Sequence, residues 1–303
     1  MYFGAVYIAP STLEENMSKV YVFYNPLANN GRSEESVKGL LETIEGEHVL
    51  CDMTKGYSEY ISEMSAEDTL ILCGGDGTLN RFINETDGEN IECNILYYAS
   101  GSGNDFAHDI SLNLGDAPVS IKKYLTDLPE VEVKGKICKF INGIGYGIDG
   151  YCCEEGDRIR AEKPGEKVDY TAIAIKGLLF KFKPRNAKIT VDGAEYEYKK
   201  VWLAPAMHGR YYGGGMIATP NQNRENAEKL SLLVWHGSGK LATLMAFPSI
   251  FKGEHIKHTK FIKVIEGKEI KVEFDKPCAL QIDGETVLDV TSYTARVKVP
   301  AKV

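Results

Sequence analysis

The amino-acid sequence predicts two domains in series: an α/β domain built on a parallel sheet, then a mostly antiparallel β-sandwich domain. Three observations predict it. Up to about residue 130, short apolar runs alternate with segments of helical spacing. Beyond that point most of the chain alternates apolar and polar residues around Asp-Gly and Glu-Gly pairs. The length, 303 residues, suits two domains at about 150 residues each.

The elements follow in order. The first 16 residues precede a second methionine, Met17, and two readings stay open: a short extra strand, or a segment upstream of the start. Residues 20–24 (VYVFY) form the first strand, closed by Asn25-Pro26. Residues 33–44 have helical spacing, with Ser33 as N-cap and Gly46 as stop. Residues 48–51 and 69–73 (TLILC) are the next strands, the latter running into a glycine loop and a helix over 79–85. A fourth strand over 95–98 again ends in glycines. This alternation implies a parallel sheet covered on both faces, with ligands beyond the carboxyl ends of the strands.

In the second half, residues 188–199 read as a hairpin around Asp192-Gly193, and 261–265 with 269–274 flank Glu266-Gly267 in the same way. Residues 201–204, 230–235 and 279–282 add short strands, interrupted by helices near 169–181 and 240–251. No internal repeat appears.

Composition excludes several classes of function. Hydrophobic residues make up 43% and charged residues 26%, a soluble globular balance rather than disorder. A net charge of −8 argues against nucleic-acid binding, which needs a basic surface. No apolar run reaches the roughly 18–20 residues of a transmembrane helix; the best, 170–182, is interrupted by Lys176 and Lys181. No charged-then-apolar leader with a cleavage site is found, which argues against export. The seven cysteines (51, 73, 93, 138, 152, 153, 278) have no CxxC spacing and read as reduced thiols of a cytoplasmic protein. His208, His236, His255 and His258 lack paired metal spacing and read as surface or packing residues.

The sharpest local signal is Gly74-Gly75-Asp76-Gly77-Thr78, directly after a strand and before a helix. Glycines let an anion approach the amides, and a helix N-terminus adds free N–H groups and a positive dipole end. An Asp inside such a loop repels phosphate unless a divalent cation bridges them, so Asp76 points to a magnesium nucleotide. No Gly-Lys-Ser/Thr follows, so this is not a Walker A loop. A second loop, Gly101-Ser102-Gly103-Asn104-Asp105, follows the next strand at the same end of the sheet. With Asn25 and Thr54 at two more strand ends, the loops outline a nucleotide cleft. NGIGYGIDG (142–150) mimics a dinucleotide fingerprint in the wrong half, without the later acidic partner, and reads as close backbone packing. Gly213-Gly214-Gly215 reads either as a flexible lip or as a turn.

GGDGTLNRFINE (74–85), preceded by YNP and followed by GSGNDFA (101–107), resembles the diacylglycerol kinase catalytic-domain family of bacterial soluble lipid kinases, which includes sphingosine and ceramide kinases. GGDGT alone is shared with NAD kinase and phosphofructokinase; GSGND selects the lipid-kinase branch. NGIGYGID, GRYYGGGM (209–216) with Pro220, and QIDGE (281–285) look like second-domain motifs of the same family, so the resemblance runs from about Lys19 to the C-terminus.

The resemblance implies a Rossmann-like ATP-binding domain over 17–130, completed by about 288–303, and a lipid-substrate domain over 131–287. It implies ATP contacts at Asn25, Pro26, Thr54, Gly74, Gly75, Asp76, Gly77, Thr78, Ser102 and Asn104. It makes Glu285 the catalytic proton acceptor, with Asp76 as the alternative base, and has Asp76 organise Mg²⁺. The activity implied is phosphorylation of a hydroxyl of diacylglycerol or a related lipid by a protein that docks peripherally on the inner membrane face. An NAD kinase-like acceptor and a nucleotide- or lipid-binding protein without turnover are the alternatives. A homodimer is allowed, although no two-fold surface is encoded.

Two departures stand out. Ser102 replaces the usual Thr and keeps the hydroxyl. After Pro220 the family's Asp-Gly pair, which helps hold a structural magnesium, is replaced by Asn226-Ala227, with Glu225 and Glu228 as the nearest acids. The basic, amphipathic segment 170–185 reads either as a helix packed on the β domain or as a membrane-surface helix.

Overall fold

The computed structural model describes residues 18–26, 33–86, 88, 90–101, 103–163, 168–226 and 228–298. The expectations for residues 1–16 and for Ser102 lie outside the described residues. The first domain runs β1 (Val20–Tyr24), α1 (Ser33–Leu41), β2 (His48–Asp52), α2 (Ser58–Ser62), β3 (Thr69–Gly74), α3 (Asp76–Glu85), β4 (Asn94–Ala99), α4 (Asp105–Asp109) and β5 (Val119–Ser120). Its sheet has the order β2-β1-β3-β4-β5. The first four strands are parallel, as the alternation of strand and helix implied, and a short edge strand, β5, is added antiparallel to β4.

Strand alternation divides the apolar residues between two layers. Tyr21, Phe23, Leu70 and Leu72 join Phe82 and Phe106 on one face. Val22, Ile71 and Cys73 pack on Val37 and Leu40 of α1 on the other. Gly74 pairs in register with Ala99, so the loops after β3 and β4 start side by side.

The second domain contains β6 (Glu130–Val133), β7 (Lys136–Lys139), β8 (Gly143–Tyr146), α5 (Ile148–Glu162), α6 (Tyr170–Lys176), β9 (Arg185–Val191), β10 (Ala194–Val201), β11 (Ala206–Met207), β12 (Tyr211–Tyr212), β13 (Met216–Ile217), β14 (Leu230–Trp235), α7 (Lys240–Ala246), β15 (Ile262–Gly267), β16 (Glu269–Ile282) and β17 (Glu285–Arg296). Ten strands form one antiparallel sheet; β12 and β13 pair apart from it. Register shifts along β16 at Glu273, Cys278 and Leu280 let this strand pair with β9 near its start and β8 near its end.

Two expectations are corrected here, and one helix was not foreseen. Asp192-Gly193 does join a hairpin, β9–β10, but β15 and β16 are not one: β15 pairs with β14, and β16 with β9, β8 and β17. The chain instead turns a corner at Gly267, where a side chain would meet Val191 at 2.3 Å and where the Asp192 carboxylate accepts from the Lys268 and Glu269 amides. Residues 285–296 pair with β16 and β6 in the second sheet and do not return to complete the first domain, as expected for 288–303; residues 299–303 lie outside the described residues. Helix α5 was invisible to apolar periodicity because glycines form much of its contact face. A Cβ on Gly150 would lie 1.9 Å from the Ala279 carbonyl oxygen, and one on Gly156 would enter the Tyr170 ring at 2.8 Å.

The close approach of α5 to β16 is therefore a packing requirement. Gly150→Ala is expected to cost about 1–3 kcal/mol through overpacking, lowering the melting temperature in a thermal scan; an unchanged melt would show that the contact yields freely.

Candidate active site at the domain junction

The two glycine loops touch backbone to backbone. A Cβ on Gly75 would sit 2.3 Å from the Gly103 carbonyl oxygen, and one on Gly101 would sit 2.4 Å from the Gly75 Cα. The Asp76 amide donates to Gly103 O at 2.9 Å, and the Ser100 amide to Gly74 O at 2.9 Å. In α3 the first helical bond is Leu79 N–H to Gly75 O. The Gly77 and Thr78 amides therefore have no acceptor among the described residues, at the positive end of a helix.

The Asp76 side chain turns the other way. Its Oδ2 accepts from the Asp105 amide at 2.8 Å; its Oδ1 accepts from the Phe106 amide at 3.0 Å and Asn142 Nδ2 at 2.9 Å. Three of its roughly four lone-pair positions are used, so Asp76 fixes the start of α4 and reaches into the second domain.

The opposite wall comes from the turn between β16 and β17. Asp283 and Gly284 take φ of 47° and 98° there. The buried Asp283 carboxylate accepts from the amides of Ile141 (2.7 Å), Asn142 (2.8 Å) and Gly143 (3.0 Å) and from Asn80 Nδ2 of α3 (3.0 Å). Burial pushes its pKa up, and the hydrogen bonds pull it back. This knot fastens α3 to the second domain. Two residues later Glu285 enters the cleft, its Oε1 3.8 Å from the position a Cβ on Gly77 would take. The cleft, about 560 Å³, is lined by Asn25, Met53, Gly75, Asp76, Gly77, Thr78, Gly101, Gly103 and Glu285, with Asn80, Arg81, Asn84 and Glu85 along one face of α3.

Of the sequence-predicted residues, Asn25, Gly75, Asp76, Gly77, Thr78 and Glu285 converge here. Gly74 sits just behind, where a side chain would overlap Thr78. Pro26 follows Asn25 outside the lining. Thr54 does not face the cleft: its amide and hydroxyl both donate to Asp52 Oδ1, and the preceding Met53 takes the lining position. Asn104 braces the second loop by donating to Gly101 O at 2.7 Å.

Sequence reasoning missed Arg81 and the polar residues beside it, although their spacing from Gly77 by three or four residues puts them on one helix face. It also missed Asp105, the last residue of GSGND. Asp105 is buried and accepts from the Gly214 and Gly215 amides at 2.9 and 2.7 Å. Burial and the neighbouring Asp76 push its pKa up to about 7 against those two amides. Residues 213–215, with φ of 62°, 82° and 102°, must be glycines to aim both amides inward, which resolves the lip-or-turn question as a turn.

The Glu285 carboxylate, with the one lone-pair position left on Asp76, offers oxygen donors for a hard divalent cation held mainly through phosphates. The structural magnesium of the resemblance fits poorly. Glu225 is bound to Lys123 and Tyr124, and Glu228 is exposed. Among the described residues no group of three His, Cys, Asp or Glu side chains converges to hold a metal.

Comparison with known proteins matches both domains. Residues 19–133 match the diacylglycerol kinase catalytic domain, and residues 142–301 match the YegS C-terminal NAD kinase beta sandwich-like domain. The chain belongs to the diacylglycerol kinase catalytic-domain family, a family of lipid kinases. A diacylglycerol kinase of Mycobacterium tuberculosis is 24% identical over 271 residues, 85% of each chain. The Bacillus subtilis protein YtlR is 28% identical over 241 residues, 71% of this chain and 73% of its own. The fold matches a crystal structure of a diacylglycerol kinase from Bacillus anthracis with a TM-score of 0.61 at 22% identity, covering 94% of this chain and 99% of that one.

Behind the site, Asp149 at the start of α5 is buried, and its Oδ2 has no partner among the described residues. Burial pushes its pKa up to about 7, offset in part by the Tyr212 hydroxyl beside it. A carboxyl raised on folding stabilises the native state at low pH, and that contribution is lost as pH rises through about 7. Asp149→Asn is therefore expected to stabilise the protein at pH 8 by at least about 1 kcal/mol and to flatten the fall in melting temperature between pH 5 and 8. A parallel fall in the variant would mean that another group titrates.

Proposed function

We propose that the chain is a kinase that transfers the terminal phosphoryl group of magnesium-ATP to a hydroxyl of diacylglycerol or a related lipid. The observation that carries this reading is the meeting, in one cleft, of two unpaired helix-start amides and an unpaired carboxylate from the other domain. Phosphoryl transfer asks mainly for alignment and charge neutralisation. Gly77 and Thr78 offer N–H groups to phosphate oxygens, and the backbone contact of the two loops holds those amides rigid. When bound, magnesium would supply charge neutralisation at the phosphates, with Glu285 and the one remaining lone-pair position of Asp76 as the oxygen donors suited to it. Asp76 is committed to three hydrogen bonds. Glu285 is exposed and carries no partner among the described residues. Glu285 is thus the better acceptor for the proton of the attacking hydroxyl; in a loose transition state that proton leaves late, and a positioned carboxylate within hydrogen-bond reach suffices.

The test is an ATP and Mg²⁺ assay over a lipid panel, with products identified by mass. A phosphorylated glycerolipid or sphingolipid is expected, with kcat about 10²–10⁴-fold lower for Glu285→Gln and little change in ATP affinity. Phosphorylated NAD without lipid product, or nucleotide binding without turnover, contradicts the proposal.

A kinase of membrane lipids must reach them, and one surface supports that need. Ile173, Ala174, Leu178 and Phe182 pack inward in segment 170–185, while Ile175 and Phe180 stay exposed. Beside them lies α7, whose Lys240 ammonium donates to Leu179 O and whose Leu241 and Met245 are 68% and 71% exposed; Phe251 follows in the next turn. Residues 170–185 and 238–253 contain no Asp or Glu, but six Lys or Arg, in a chain of net charge −8. An apolar patch rimmed by lysines that form no ion pair among the described residues complements an anionic bilayer surface. No helix among the described residues is long and apolar enough to cross a membrane. Sedimentation with vesicles containing anionic lipid, weaker with neutral ones, is expected, and Leu241→Ser with Met245→Ser reduces it at least tenfold. Equal binding by the double variant removes this surface from the account.

A further inference from the structure

The loop in which the resemblance puts a structural magnesium holds instead a buried arginine. Arg224 lies in the short turn Arg224–Asn226, and its side chain is 4% exposed. Its Nε donates to Asp109 Oδ2 at 2.8 Å, its Nη1 to the Ile141 carbonyl oxygen, and its Nη2 to Asn142 Oδ1 at 2.8 Å. The guanidinium lies over the Phe106 ring, 4.9 Å from its centroid. Gly209 leaves it room, since a Cβ there would come within 2.1 Å of Nη2.

These acceptors are a carboxylate, a peptide carbonyl and a side-chain amide oxygen, the hard oxygen set that a divalent cation takes. Here they are saturated by a cation that belongs to the chain. We propose that Arg224 is a positioning residue: it replaces a metal ion in the second domain and orients Asn142, and through it Asp76.

The orientation follows from donor chemistry. A guanidinium only donates and an ionised carboxylate only accepts. Asn142 bridges the two, so its oxygen must face Arg224 and its NH₂ must face Asp76. A second route runs through Asp109, at the end of α4. Arg224 and Arg210 both hold the Asp109 carboxylate, and α4 begins with the two amides that grip Asp76. One buried charge thus fixes Asp76 from the second domain and from α4. Burial and then the Arg224 charge hold His208 neutral, its pKa near 3, so that it adds no competing cation.

The inference rests on the kinase reading only where turnover is the readout. Metal analysis of the purified full chain is expected to find no stoichiometric divalent ion, and its melting temperature is expected not to change with EDTA. A tightly bound ion whose removal lowers the melt overturns the replacement. Arg224→Met is expected to speed hydrogen exchange at the Asp105 and Phe106 amides more than tenfold and to lower kcat about 10²-fold, the cost of misplacing a reacting centre. Arg224→Lys keeps the charge but cannot reach three acceptors; it is expected to recover the melting temperature without recovering kcat. Combined with Asn142→Ala, Arg224→Met should add little further loss, because both cut one path. Unchanged exchange at the two amides, or full additivity, overturns the positioning role. Absence of turnover in the unaltered chain sinks the kinase reading instead, and the metal and exchange measurements still decide this one.

Discussion

The junction between the two domains depends on how one buried carboxylate is satisfied. Asp76 sits at the start of α3, in the loop that presents amides to the cleft, yet its own oxygens point away to Asp105, Phe106 and Asn142. A buried carboxylate without such donors would be costly to ionise. Its three hydrogen bonds therefore tie together the first glycine loop, the helix after the second loop, and the residue that leads into β8 of the other domain. The opposite link, Asp283, repeats the arrangement in reverse: a second-domain carboxylate takes one donor, Asn80, from α3. Two reciprocal carboxylate knots hold the walls of the cleft apart at a fixed width.

Close backbone approach serves the same end. Gly75 on Gly101 and Gly103, and Gly150 on Ala279, leave no room for side chains. Where glycine is needed for its backbone angles, at 213–215, the consequence is electrostatic: two inward amides share the charge of Asp105 beside Asp76. Loops that read as nucleotide-binding glycines are thus also a packing device.

Much of the first domain was legible because its strands are short, continuous apolar runs and its loops carry glycines at the strand ends. The convergence of Gly75 to Thr78 with Glu285 followed from motif resemblance, not from spacing, since about 200 residues separate them. Helix α5 was not legible: its buried positions are Ile148, Asp149, Gly150 and Gly156, which carry no apolar stripe. The β15–β16 corner mimicked a hairpin because Glu-Gly is a turn pair in either setting; only the position of Asp192 and Val191 decides it. Thr54 could not be assigned from sequence, because a hydroxyl at a strand end serves a ligand or its own turn equally well; in the structure it donates to Asp52. The replacement of an acid by Asn226 was visible, but the cation two residues earlier, Arg224, signals nothing until its partners are seen.

The central claim is that the Gly77 and Thr78 amides seat the nucleotide's phosphates opposite Glu285. A crystal structure with magnesium and a non-hydrolysable ATP analogue tests it most directly. The account predicts phosphate oxygens within hydrogen-bond reach of both amides, the terminal phosphate facing Glu285, and Asp76 still bonded to Asn142. Phosphates bound away from the start of α3, or a Glu285 turned out of the cleft, would contradict it.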